Sequence, residues 1–183
     1  MSMLPKLELK LSSSYNLILN DEFNYPKFLK DYNSEVDKFN KKFEKFKIET
    51  KAFQKAFKKY QKVIIKLIQK YSGFSWKGQY IPVYLVKMTK KPSISDPLTL
   101  KFKENIDSML ILLIHELTHV NIPYKLQLDA GQKVQEQWVN LITRYTAIEL
   151  GLDLSRASML NFNEALELNW NLKNKPLKLF LKK

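Results

Sequence analysis

The chain has two histidines in 183 residues, and they stand four apart in His115-Glu116-Leu117-Thr118-His119. Four residues of α-helix turn through about 400° and rise about 6 Å, so both imidazoles leave the same face. At that separation two neutral imidazoles can share one Zn²⁺, and Glu116 between them reaches a water on the metal as its general base. Two histidines placed at random in a chain of this length fall four apart about once in a hundred sequences, and a Glu directly after the first makes the pattern rarer. The competing reading is two ordinary histidines on an amphipathic helix. Context counts against it: Met109 to Ile114 is an unbroken apolar run, which predicts a buried helix. A buried helix keeps His, Glu and His together only where something satisfies them.

There is no cysteine, so disulfides, thiolate zinc sites and thiol nucleophiles are excluded, and a metal must be held by His, Asp or Glu. A catalytic zinc takes three protein ligands and leaves one position for water. The pattern HExxHxxGxxH is excluded, because Lys125 occupies the place of its last histidine. The third ligand is therefore a carboxylate, with Asp129, Glu136, Glu149 and Asp153 as candidates. Asp129 suits a helix cap, and Glu149 sits at a helix end beside Gly151, where solvent is the expected surrounding. Glu136 stands on the next predicted helix with Asn140 one turn on, placed to hold a ligand histidine by a hydrogen bond. Glu136 is the expected third ligand.

The elements that must position these residues follow from the hydrophobic pattern. Leu7–Leu11 and Tyr15–Leu19 alternate and predict two short strands joined by a turn at Ser12-Ser13-Ser14. From Ser34 to Tyr71 apolar residues recur at three- and four-residue steps, predicting a long helix bent or broken near Glu49-Thr50 and stopped by Ser72-Gly73. Gln79–Met88 reads as a strand that Pro82 pushes towards an edge or a strand start. Thr89–Pro97 is a turn-rich connection and Leu98–Phe102 a second strand. Asn105 or Asp107 caps the histidine helix, which ends by Pro123. Asp129 is placed to cap a helix from about Gly131 to Leu150, closed by Gly151. Residues 155–170 read as helix, and Leu177–Leu181 alternates like a strand. The class is α+β, a single domain over 1–183: an N-terminal extension (1–33), a core (34–152), and a C-terminal helix and tail (153–183).

The constellation of His115, Glu116 and His119, with Glu136 and Asn140 on a later helix, resembles the gluzincin metallopeptidases, the thermolysin-like clan. Without a large lower subdomain, the chain is most similar to the compact minigluzincins over about residues 50–150. The resemblance implies a zincin-like fold: a long backing helix, a small mixed sheet, an active-site helix carrying HExxH, a glutamate helix and terminal extensions. It implies zinc on His115, His119 and Glu136, with Glu116 activating the water that attacks a peptide bond. Asn140 stands where the clan often has Asp, and its amide oxygen can still accept from a ligand histidine. The resemblance further implies an edge strand, Tyr80–Met88 or Leu98–Phe102, that binds an extended peptide substrate, and a terminal segment that can lie in the cleft and keep the enzyme latent. Tyr124, Arg144 and Tyr145 are candidates for stabilising an oxyanion, with none assigned.

The net charge of +13 and a pI near 9.7 favour acidic partners. Fourteen lysines and five acidic residues fall between Pro26 and Tyr71, which holds about nine of the thirteen excess positive charges. A solvated helix face accounts for them more simply than a nucleic-acid surface. The second functional expectation is thus a non-catalytic protein of the same fold that binds nucleic acid or acidic protein through its Lys-rich helix. The N-terminus lacks the order of a signal peptide and the longest apolar run is too short to span a membrane, so a cytoplasmic location is expected. Oligomeric state is not legible.

Overall fold

The computed structural model describes residues 4–19, 31–78, 80–87, 93–156 and 176–181. Among them are seven α-helices and one mixed four-stranded sheet, an α+β arrangement. The strands are β1 (Lys6–Lys10), β2 (Tyr80–Val86), β3 (Ile94–Ser95) and β4 (Leu98–Lys101), in spatial order β1-β2-β4-β3. β1 pairs parallel with β2 and β2 parallel with β4, while β3 turns back antiparallel on β4.

The predicted strand at Tyr15–Leu19 is instead part of helix α1 (Ser13–Ile18). The serines expected to make a turn start this helix: Ser12 Oγ accepts from the Tyr15 N–H at 3.2 Å. The buried residue is Asn16 rather than Tyr15 or Leu17. Its amide donates to Leu85 O at 3.0 Å and accepts from Lys87 N at 3.1 Å, docking α1 on the end of β2.

The long amphipathic stretch is two helices, α2 (Tyr32–Glu49) and α3 (Lys51–Ser72), broken at Thr50 as expected. Thr50 is fully buried, and its hydroxyl donates to Lys47 O at 2.9 Å. Gly73 stops α3 in the left-handed region (φ 74), and a Cβ there would lie 2.8 Å from the Pro176 side chain. Glycine is required at this position on both counts.

β2 does not lie at an edge, since β1 and β4 flank it. Pro82 is tolerated because pairing with β4 begins only at Tyr84, so at Pro82 the strand has a neighbour on one side. β4 is likewise flanked, by β2 on one side and on the other by β3 at Leu98 and Thr99. The expectation that β2 or β4 offers an open edge is therefore corrected: two-residue β3 takes the outer position beside β4.

Helix α4 (Ile106–Asn121) starts at Asn105, whose side chain accepts from Ser108 N at 2.9 Å. Every residue from Ser108 to His119 is buried, as the apolar run predicted. α4 packs between α3 and the long helix α6 (Gln132–Glu149), with the sheet alongside, and Leu113, Ile114 and Leu117 join Ile64, Ile68, Leu100, Val139 and Ile142 in one core. Asp129 does not cap α6. It is exposed within a further helix, α5 (Tyr124–Ala130), which starts because the Leu126 and Gln127 N–H groups both donate to Pro123 O. Gly131 precedes α6 without a side-chain cap.

Leu177–Phe180 forms helix α7, not a strand. Leu177 and Leu181 both pack on the core while Leu179 is exposed. A spacing of four satisfies a helical turn and a two-residue alternation alike, which is why the pattern misled. Most of the helix expected over 155–170 lies outside the described residues; Leu154–Arg156 is a 3₁₀ turn.

Candidate metal centre

α4 and α6 bring the expected ligands together. His115 Nε2 lies 3.6 Å from Glu136 Oε2, and His119 Nε2 lies 3.3 Å from Glu136 Oε1. The donor atoms of His115, His119 and Glu136 all fall within 4.8 Å of one another. Two ligands held at about 2.0–2.1 Å by one tetrahedral ion stand about 3.3 Å apart, so these separations fit a shared zinc. Two imidazole nitrogens and one carboxylate oxygen also suit zinc chemically. Both histidines are buried, whereas the Glu136 side chain keeps 39% of its exposure, leaving one side of the cluster open.

The electrostatics divide the two histidines. Burial and the neighbouring His119 push the His115 pKa down to about 4, against the pull of Glu136 and Asn140, so its imidazole is neutral. Burial acts in the same downward direction on His119, but hydrogen bonds to Glu136 and Gln127, with the charges of Glu136 and Glu116, raise it overall. The hydrogen bond with His119 holds Glu136 below the usual carboxylate range. The contact with Glu136 thus favours a proton on His119, and a bound cation must displace any proton on Nε2. Burial pushes Glu116 up to about 7, with His119 opposing and Glu136 adding to the rise.

Gln127, on α5, was not singled out from the sequence. Its Nε2 donates to His119 O at 2.8 Å and Ile122 O at 2.7 Å, which turns its Oε1 towards His119 Nδ1 at 3.1 Å. Nδ1 therefore carries a proton, and Nε2 is left to face Glu136 and any metal. This is the carbonyl-to-imidazole support expected behind a metal-ligating histidine. Gln135 Nε2 lies 3.0 Å from the same Nδ1; with Nδ1 protonated, a flip of this side chain would present the amide oxygen instead. No sequence periodicity links Gln127 to His119, because Pro123 breaks the helix between them.

His115 has no such support within normal hydrogen-bond geometry. Among the described residues its Nδ1 is a buried atom without a partner, and so is Asn140 Oδ1. Asn140 nevertheless bears on His115, favouring its protonated form. The two atoms have complementary roles, N–H donor and amide acceptor, in the pairing expected for Asn140.

The remaining candidates are occupied elsewhere. Glu149 pairs with Lys70 at 2.8 Å and accepts from Tyr71, and Asp153 lies 3.4 Å from Arg156 and accepts from Ser155. Tyr145 stacks on Tyr71 with ring centroids 5.5 Å apart, and Tyr124 is exposed.

The far end of α4 is clamped just beyond His119. Ser72 Oγ donates to Asn121 Oδ1 at 2.5 Å, and Asn121 Nδ2 donates to Phe74 O at 3.2 Å. These bonds tie the end of α4 to the end of α3, so the histidines sit on a fixed rod. No helix of the described residues is long and apolar enough to cross a membrane. No family model, curated protein or solved structure matches the chain.

Proposed function

We propose that this chain is a zinc-dependent metallopeptidase of the gluzincin kind, most similar to the minigluzincins. The observation that carries the reading is the convergence of His115, His119 and Glu136 from two helices, with Glu116 buried beside them and shifted towards neutrality. His115 Nε2, His119 Nε2 and the Glu136 carboxylate would hold the ion, and Gln127 and Asn140 would orient the two imidazoles. Zinc in such a site supplies acidity to a water molecule and polarises a carbonyl.

Glu116 accepts the proton of the attacking water and passes it to the leaving amine. Its burial matches its proton affinity to that relay near neutral pH, and a cation beside it favours the carboxylate needed at the start. The half-exposed side at Glu136 admits substrate, while the packed face of α4 excludes water from behind. An extended peptide would pair with the outer edge at β3 rather than with β2 or β4.

The experiment is a zinc titration followed by hydrolysis of casein or a quenched peptide, with a chelator control. One zinc per chain and chelator-sensitive cleavage are expected; cleavage that survives complete zinc removal contradicts the reading. The same reading includes latency through a terminal segment, at either end of the chain. In the tail, Leu177 and Leu181 pack on the core, so removal of residues 171–183 raises the rate where the shortened chain stays folded. Latency is abandoned if a shortened chain, still folded by circular dichroism, cleaves at the full-length rate.

A further inference from the structure

We propose that the outer face of α3 is a docking surface for the phosphate backbone of nucleic acid, separate from the metal cluster. Lys51–Ser72 contains seven lysines and no acidic residue. Lys51, Lys55, Lys58, Lys62 and Lys66 fall within about 80° of one another around the helix and span about 22 Å along it. All five are exposed, and among the described residues none makes an ion pair or hydrogen bond. Several neighbouring lysines are engaged: Lys59 lies against Tyr60, Lys70 pairs with Glu149, and on α2, which also carries four carboxylates, Lys38 and Lys47 pair with Glu35 and Glu44. The unpaired row on α3 is therefore distinct from the mixed charge of α2.

The chemistry of the row selects its occupant. A helix that lies in a membrane surface must bury its apolar face in lipid. That face of α3 is already spent on the core, where Phe53, Ile64, Ile65 and Ile68 are almost fully buried. A folded acidic protein needs an apolar or aromatic anchor inside its interface. The one large hydrophobic side chain of α3 that is exposed is Val63, at the margin of the row. Duplex DNA carries a charge about every 1.7 Å of axis counted over both strands, so the stretch beside a row of about 22 Å holds about thirteen phosphates, of which those on the facing side are within reach of five lysines. They are point charges rather than planar forks, which suits backbone contact without base reading.

The test is fluorescence anisotropy with two labelled 20-base-pair duplexes of unrelated sequence, in NaCl from 50 to 200 mM. The wild-type chain is expected to bind both equally. Each phosphate contact contributes about 0.9 to the slope of log affinity against log salt, so five lysines give a slope of about −4.5. The variant K55Q/K58Q/K62Q should flatten the slope by about 2.7 and weaken binding at least tenfold at 50 mM salt. A matched variant of α2, K41Q/K42Q/K45Q, should change the slope by less than about 1. Circular dichroism confirms that both variants fold. No binding to either duplex at 50 mM salt, or equal losses in the α2 and α3 variants, would overturn the proposal. So would tighter, α3-dependent binding to phosphatidylserine vesicles than to the duplexes. The readout does not involve hydrolysis, so it stands or falls independently of the peptidase reading.

Discussion

α3 and α4 pack against each other and handle charge in opposite ways. α3 keeps its lysines in water and buries apolar side chains with one hydroxyl, Ser72, at its end, while α4 buries His115, Glu116 and His119 within an unbroken buried run from Ser108. A single lysine in water costs little, so on α3 it is the arrangement of the row and not any one charge that carries information. A buried imidazole or carboxylate costs several kcal/mol, as an order of magnitude, unless partners satisfy it. On α4 those partners are present: Glu136 faces both histidines, and Gln127 supports His119. Where charge is expensive, the residues that offset the cost mark the site.

Breaking the α4 side of this contrast should have the largest effects. His119→Ala or Glu136→Ala removes one of three donors, and stoichiometric zinc should be lost on dialysis, measured by atomic absorption. A Glu136→Ala protein that retains one tightly held zinc would move the third ligand elsewhere. Glu116→Gln should lower hydrolysis by about 10²- to 10⁴-fold, the usual contribution of a general base, with zinc content unchanged. Gln127→Ala should weaken zinc binding by about 10- to 100-fold through loss of the His119 support. Unchanged affinity in a competition titration would reduce Gln127 to a purely structural residue.

The pH dependence of the metal-free protein sharpens the contrast. Glu116 is raised to about 7 from 4.5, so the folded chain holds a proton that the unfolded chain releases. Stability therefore falls as pH rises from about 4.5 through 7, by about 3 kcal/mol in total. His115 is lowered to about 4 from 6.5 and acts in the opposite sense, adding stability as pH rises between those values. The difference between metal-free Glu116→Gln and wild type isolates the first effect. By urea unfolding the variant should match wild type near pH 4.5 and be the more stable by about 3 kcal/mol at pH 7.5. A difference independent of pH would contradict the buried-carboxylate account. On α3, by contrast, Lys55→Gln or Lys62→Gln should shift stability by less than about 0.5 kcal/mol.

The parts of the fold legible in the sequence were those fixed by long periodic patterns. The apolar run before His115 announced a buried helix, and the break at Thr50 and the stop at Gly73 followed from helix length and glycine. Short segments misled where one pattern fits two structures. Leu177 and Leu181 share a face in a helical turn as well as in a strand, and three serines can cap a helix as readily as they turn a hairpin. At the site, Glu136 and Asn140 were legible because they lie one turn apart on a single helix. Gln127 was not: it reaches His119 only because Pro123 restarts the chain as α5 and folds it back over the end of α4. The edge at β3 was hidden for a similar reason, since two residues carry no alternation to read.

The central claim is tested most directly by following quenched-peptide cleavage by zinc-loaded wild type and Glu116→Gln, each carrying one zinc per chain. The account predicts chelator-sensitive cleavage by wild type and a rate lower by at least about a hundredfold in the variant. Equal rates in the two proteins, or zinc-loaded wild type that cleaves no peptide of a diverse library, would contradict it.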